Sequence, residues 1–289
     1  MGAFGKKARR YVKAAAKAVR TGDYEKLMEQ WYYKKLLGMM PEIELYKVQT
    51  REHILNRAKE VNCANMREYV RFFSRNEEER RYLRQNLTLT GTHFFRGNDW
   101  EYFIAECLCV FAERDEEQPV RIWCAGCSSG QEAYSVIMGL MDYVPVERIR
   151  LLATDYNEEM LEKTRAASYF RMHYEEIPER YRQYFTFDAE GKKFSPLPEI
   201  RAAVETEKLD LLIDAYPAPF DVILCRNVMK FFRAEQIPVV QAKLAASLAP
   251  GGFLFTATDD NHNDLELISD PASLGLIQLD GRCIYRKEA

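Results

Sequence analysis

The residues best suited to chemistry sit around one stretch, Arg121-Ile-Trp-Cys-Ala-Gly-Cys-Ser-Ser-Gly-Gln-Glu132. Gly126 and Gly130 carry no Cβ, so the chain can turn sharply there and a ligand can lie against its backbone. The first amides of the helix that follows have no intrahelical partner and can meet that ligand. Asp155 stands about 20 to 25 residues beyond the turn, at the tip of the next apolar run, where an acid can accept both hydroxyls of a ribose. Arg226 and Asn227 close a further apolar run, Phe220 to Cys225. This is the chemistry of binding a nucleotide-type cofactor, although the glycine turn alone also fits an ordinary β–α connection. Cys124 and Cys127 form a Cys-x-x-Cys, but no second Cys or His pair stands at ligand spacing. The two thiols therefore read as small residues lining the turn, and no metal is expected.

Strands must carry these residues. Val120 to Trp123, Arg148 to Thr154, Phe220 to Cys225 and Phe253 to Ala257 are short apolar runs, the last entered through a turn at Pro250-Gly251-Gly252. Between the first two lies a helical pattern with Ala133, Val136, Ile137 and Leu140 on one face. Strands alternating with helices predict an α/β fold with a mainly parallel sheet and the ligand at the carboxyl ends of the strands. Ser168 to about Glu207 breaks the alternation and is rich in charge and aromatics. Leu274 to Arg286, with Asp280-Gly281 at its middle, predicts a closing β-hairpin.

The first third of the chain reads as helical. Lys6 to Arg20 is basic with a narrow apolar stripe, Val12, Ala15, Ala16 and Val19. Gly22 breaks it, and Asp23 can cap a second helix with Tyr24, Leu27, Met28, Trp31 and Tyr32 on one face. Between Leu36 and Asn86, Gly38 and Pro41 punctuate one helix, and further helices are predicted over Gln49 to Val61 and from Asn65 through Phe73. Asn76 with Glu79 gives a capping-box-like start to another.

At 289 residues, 47% of them hydrophobic and 29% charged, the chain has the composition of a globular protein with room for two domains. A net charge of −3 predicts no general affinity for nucleic acid. There is no apolar run of membrane-spanning length, and the basic N-terminus lacks a signal peptide's apolar core, so a cytoplasmic location and reduced cysteines are expected.

Four blocks resemble the CheR family, S-adenosylmethionine-dependent methyltransferases that methylate glutamates on bacterial chemoreceptors. They are Leu89-Thr-Gly-Thr-His-Phe-Phe-Arg96, Trp123 to Ser135, Ala153-Thr-Asp155 with Leu161-Glu-Lys-Thr-Arg165, and Cys225-Arg-Asn-Val-Met-Lys-Phe-Phe232. The resemblance implies a class I, Rossmann-like methyltransferase fold with an N-terminal all-α domain and a small inserted β-subdomain. The domains would be a basic extension at 1–35, the helical domain at 36–87 and the methyltransferase domain at 88–289, with the insertion at about 168–207. In the family the helical domain covers the active site and the insertion touches the receptor.

The resemblance also implies roles. Thr90, Thr92 and Arg96 lie where the family holds the cofactor's methionine end, and Arg96 is the candidate for orienting the acceptor carboxylate by its planar fork. Glu132 would face the cofactor's amino group and Asp155 its ribose. Asp210 and Leu211 would lie beside adenine, and Arg226 and Asn227 beside the cofactor. A monomer acting on a receptor protein is expected. The sequence departs from the family at Thr90, where Asn is usual, at Phe231, where Tyr is usual, and at Asp259-Asp260, where Ser-Glu is common. Phe231 keeps a second reading open, a related methyltransferase with another acceptor. A cofactor-sensing module with little turnover and a Rossmann dehydrogenase fit less well, because Arg96, Glu132 and Asp155 are intact and no Gly-x-Gly-x-x-Gly is present.

Overall fold

The computed structural model describes residues 31–32, 35–36, 49–87, 92–115, 117–217, 219–232, 234–257 and 267–288. The stripe expected over Lys6 to Arg20, the cap at Asp23, the punctuation at Gly38 and Pro41, Thr90 and Asp259-Asp260 all lie outside the described residues. The chain divides into two compact units, Met1–Leu89 and Thr90–Ala289.

In the first unit Trp31, Tyr32, Lys35 and Leu36 are helical, and α1 (Gln49–Glu60), α2 (Met66–Arg75) and α3 (Glu77–Leu87) follow. Ile54, Ala58, Met66, Tyr69, Val70, Phe73 and Leu83 form their core with Leu36. Asn65 caps α2 by accepting from the Glu68 amide at 3.1 Å, and Asn76 accepts from the Glu79 amide at 3.1 Å to cap α3. The expected capping box is half made. The Glu79 carboxylate accepts instead from Arg57 Nη2 at 2.9 Å and from the Tyr69 hydroxyl at 2.6 Å. A buried carboxylate needs its charge matched inside the core more than it needs the helix end.

The second unit is built on a seven-stranded sheet of order β6-β2-β1-β7-β8-β10-β9. Its strands are β1 (Val120–Ala125), β2 (Ile149–Asp155), β6 (Val204–Lys208), β7 (Phe220–Leu224), β8 (Leu248–Phe255), β9 (Leu276–Gln278) and β10 (Ile284–Lys287). Pairings from β6 through β8 are parallel, and β10 and β9 are antiparallel. Helices α4 (Gln131–Leu140), α5 (Glu158–Ala166), α6 (Pro198–Ala202) and α7 (Ile237–Ala246) accompany the strands. All of β7 is buried, as a central strand covered on both faces must be. The mainly parallel α/β sheet is as expected. The chain leaves β1 towards β2 on one side and returns as β7 on the other, so a crevice opens at the carboxyl ends of β1 and β7.

Three details differ from the sequence reading. The insertion read at about 168–207 contains a three-stranded antiparallel sheet, β3 (Tyr169–Phe170), β5 (Lys193–Pro196) and β4 (Phe185–Phe187), but its last residues, Val204–Lys208, are edge strand β6 of the large sheet. That strand reads Val-Glu-Thr-Glu-Lys because an edge has little buried face to fill. Pro250-Gly251-Gly252 does not precede a strand but bulges within β8, where the register with β7 slips between Phe220 and Val222. A Cβ at Gly252 would stand 2.9 Å from the carbonyl oxygens of Ala249 and Asp221. Finally, Trp100 to Glu113 forms a helical segment with a π-type turn at Phe103–Cys107. Trp100, Phe103, Ile104, Cys107, Leu108 and Phe111 make a clear 3-4 stripe there, a signal the sequence reading passed over.

The hairpin of β9 and β10 forms as predicted, with Asp280 and Gly281 both at positive φ, +46° and +68°. Among the described residues no helix is long and apolar enough to cross a membrane.

Candidate cofactor site

Asp155 ends β2, Arg226 and Asn227 follow β7, and Glu132 lies in the first turn of α4. The turn after β1 places Gly126 at φ +80°, Ser128 at φ +49° and Gly130 at φ +89°. Neighbours hold it from outside. Gly126 and Cys127 donate their amides to the Thr154 carbonyl at 2.8 Å, Thr164 donates its hydroxyl to the Ser128 carbonyl at 2.9 Å, and the Tyr169 hydroxyl reaches the Ser129 carbonyl at 2.8 Å. Space at the two glycines is closed: a Cβ would lie 2.7 Å from Val228 Cγ2 at Gly126 and 2.8 Å from Thr164 Cγ2 at Gly130.

Asp155 ends β2 and is 8% exposed. Its carboxylate accepts the Ser128 amide at 2.9 Å through one oxygen and the Asn157 amide at 2.9 Å through the other. It thus orders the glycine turn and the start of α5. Burial raises its pKa above the ordinary carboxylate value, and the backbone amides of Asn157, Ser128 and Tyr156 partly offset this.

Arg226 follows β7 and is buried. Its guanidinium lies 4.2 Å from the Phe255 ring centre and 5.0 Å from that of Trp100. One nitrogen donates to Glu132 Oε1 at 2.7 Å, and the other donates to the Arg96 carbonyl and lies 3.8 Å from Asp99. A planar fork with fixed donors suits this three-way junction, and an ammonium would not. The sequence reading placed Arg226 beside the cofactor; the structure spends its charge on protein partners, so it sets the position of Glu132 and of the Arg96 backbone. Glu132 is thereby held with one oxygen on Arg226.

Asn227 sits at φ +57° and is 7% exposed. Its side-chain Nδ2 is buried and, among the described residues, donates to no protein atom. A buried amide donor is normally completed by a ligand or an ordered water.

The Phe-Phe-Arg turn is anchored by its aromatics. Phe94 meets Tyr169 at 5.0 Å and Phe185 at 5.1 Å in edge-to-face contacts, and Phe95 stacks on Tyr181 at 4.2 Å. The Phe95 amide donates to Ser135 Oγ at 2.9 Å, which ties the turn to α4. Thr92 and Arg96, on either side, are half-buried. Beyond β6, Leu211 is 7% exposed, and Asp210 is half-buried and accepts the Leu212 amide at 2.9 Å. Burial pushes the Cys124 thiol well up, followed by the nearby Glu132 charge, and burial likewise pushes up Cys127. Both thiols therefore stay protonated at neutral pH and are poor nucleophiles and poor metal ligands.

The fit to an S-adenosyl cofactor rests on these observations: a tight glycine turn after β1, a buried amide without a protein acceptor, the Asp155 carboxylate at the end of β2 and the Glu132 carboxylate in the first turn of α4. The sequence reading missed Asp99, Trp100, Phe255 and Ser135, which hold the site from behind. Only the Trp100 stripe left a trace in sequence.

A family model described as "CheR methyltransferase, SAM binding domain" matches residues 90–266. The chain is 34% identical over 195 residues to a chemotaxis protein methyltransferase of Listeria monocytogenes, spanning 67% of this chain and 71% of that one. It is 34% identical over 212 residues to chemotaxis protein methyltransferase 1 of Pseudomonas aeruginosa, spanning 69% and 74%. The corresponding Escherichia coli protein is 29% identical over 223 residues, spanning 74% and 76%.

Proposed function

The chain belongs to the CheR methyltransferase family, and from that premise we propose that it methylates glutamate side-chain carboxylates of a chemoreceptor. S-adenosylmethionine bound in the crevice supplies an electrophilic methyl group on its sulfonium. The chain's own residues bind, orient and exclude water. Glu132, held by Arg226 at 2.7 Å, faces the amino group of the cofactor. Asp155 accepts from the ribose, and the Asn227 amide donates to the ligand. Asp210 and Leu211 border adenine, with Asp210 accepting from the exocyclic amine. Thr92 lies at the methionine end.

A carboxylate is already a nucleophile at neutral pH, so no general base is required. What remains is to place it in line with the methyl group and strip its water. Arg96 orients the acceptor carboxylate with its fork. The inserted sheet meets the receptor, and the enzyme works as a cytoplasmic monomer.

The observation that carries this reading is the buried Asn227 amide after β7, together with the glycine turn after β1 and the Asp155 carboxylate at the end of β2. The test is incubation with methyl-labelled S-adenosylmethionine and receptor-bearing membranes from the host. Base-labile label on the receptor is expected, since glutamyl methyl esters hydrolyse in base. Base-stable label, or none while S-adenosylhomocysteine still binds, would refute the acceptor. Phe231, in place of the usual tyrosine, favours a second reading with the same cofactor and another acceptor. Label appearing on a different protein or a small molecule would select it.

A further inference from the structure

His93 lies in the Phe-Phe-Arg block, one residue from Thr92, and the methyltransferase chemistry does not use it. Its Nδ1 stands 3.1 Å from Glu176 Oε2. On the other side of the same carboxylate, His173 Nδ1 stands 3.7 Å from Oε1. The ligand atoms of His93, His173 and Glu176 all lie within 4.8 Å of one another. His173 and Glu176 belong to a 3₁₀ turn, Arg171–Glu176, in which residues three apart eclipse and present both side chains on one side. His93 comes to them from 80 residues earlier in sequence, so spacing alone could not have shown the group.

We propose that His93, His173 and Glu176 form a binding site for a divalent transition ion of the Zn²⁺ type, which ties the inserted subdomain to the loop carrying Thr92 and Arg96. Two imidazoles and one carboxylate are the donor set that Zn²⁺ takes when water fills the fourth position. Bonds of about 2.0 to 2.2 Å place the ligand atoms of a tetrahedral Zn²⁺ roughly 3.2 to 3.6 Å apart. His93 Nδ1 stands 3.1 Å from one oxygen of Glu176 and His173 Nδ1 3.7 Å from the other, so a turn of the carboxylate brings a single oxygen towards both imidazoles. The remaining edge closes by rotation of side chains that are 36% to 50% exposed. The same exposure leaves room for a water ligand and predicts moderate affinity. Borderline nitrogen donors select Zn²⁺, Ni²⁺ or Cu²⁺ over Mg²⁺. Phe94 already packs this loop against the insertion through Tyr169 and Phe185, so the ion would add a second tie between the same two pieces.

The experiment is calorimetric titration of the full chain with Zn²⁺, with Mg²⁺ as control and thermal unfolding alongside. One Zn²⁺ site, a raised unfolding midpoint and no response to Mg²⁺ are expected. His93→Ala, His173→Ala and Glu176→Gln should each weaken Zn²⁺ by at least about tenfold, since removing even an outer partner of a ligand has that effect. His173→Ala and Glu176→Gln should bind S-adenosylhomocysteine as the unmodified chain does, which shows that they are folded. No Zn²⁺ binding, or binding unchanged in all three variants, would overturn the proposal. So would a Co²⁺ spectrum with a thiolate charge-transfer band, which would put the ion on cysteines. The readout is metal binding, so it stands or falls apart from the identity of the methyl acceptor.

Discussion

Arg226 is 1% exposed at its side chain and touches Glu132, the Arg96 carbonyl and Asp99. Replacing it with Met keeps much of the volume between Trp100 and Phe255 but strands two carboxyl groups in the interior. Removing one partner of a buried ion pair costs about 3 to 5 kcal/mol. Urea unfolding of Arg226→Met should show a loss of that size, and a loss below about 1 kcal/mol would mean that Arg226 does not hold this junction. Asp155 has two jobs, ordering the turn and meeting the proposed ribose. Each hydrogen bond to a charged group is worth about 1.5 to 3 kcal/mol, so Asp155→Ala should weaken S-adenosylhomocysteine at least tenfold by calorimetry. Unchanged affinity would remove Asp155 from the site. The substitution should also change how stability depends on pH. With a pKa raised in the folded state, Asp155 binds a proton more readily folded than unfolded. Its contribution is therefore fully present below the ordinary carboxylate range and is lost as pH rises through the raised value. The stability advantage of the unmodified chain over Asp155→Ala should shrink as pH rises through that window. An advantage that grows with pH there would show that the amides outweigh burial.

At the scale of elements, the link from β1 to α4 depends on glycine for two separate reasons. Gly130 sits at φ +89°, a conformation that costs a side-chain-bearing residue about 1 to 2 kcal/mol. Its missing Cβ would also lie 2.8 Å from Thr164 Cγ2 and 3.0 Å from Thr164 Oγ1. Overpacking of that kind costs about 1 to 3 kcal/mol. Gly130→Ala should therefore destabilise by the sum of the two and weaken cofactor binding by moving the turn. Adding Thr164→Ser removes the nearest clashing methyl and should recover part of the packing loss, leaving the backbone cost in place. A double variant no more stable than Gly130→Ala would show that α5 already yields to the extra methyl. The bulge in β8 belongs to the same scale, since Gly252 is pressed against backbone carbonyls that cannot move without disturbing β7.

At the scale of the molecule, each unit has its own interior. The core from Leu36 to Leu83 stays within the first unit, and the two larger cores draw on residues from Phe94 to Tyr285. Every described residue assigned to the cofactor, from Thr92 to Asn227, belongs to the second unit. A fragment spanning 90–289 should fold and bind S-adenosylhomocysteine with affinity close to that of the full chain. If the fragment folds but its affinity falls more than tenfold, the first unit contributes to the cofactor site itself. If the first unit serves the acceptor and not the cofactor, the fragment should bind but transfer methyl poorly.

The sequence by itself determined what local chemistry can report. Period-2 and period-3.6 patterns marked most strands and helices, Asn65 and Asn76 marked helix starts, and Asp280-Gly281 marked a hairpin. The glycine turn and the acid at the next strand tip were legible as a pair, and the structure joins them through the Ser128 amide and the Asp155 carboxylate. β6 was not legible because an edge strand buries too little to carry an apolar signature. The roles within the site were not legible either. Arg226 and Glu132 are 94 residues apart, and no local rule says that the arginine turns inward to hold the glutamate rather than outward to hold a ligand. The same is true of Glu79, whose place at the start of α3 suggested a cap and whose neighbours in space made it a buried ion-pair partner. Propensity and periodicity act over a few residues, whereas the partner of a buried charge is chosen by which strands the topology sets side by side. Only the tertiary structure decided that.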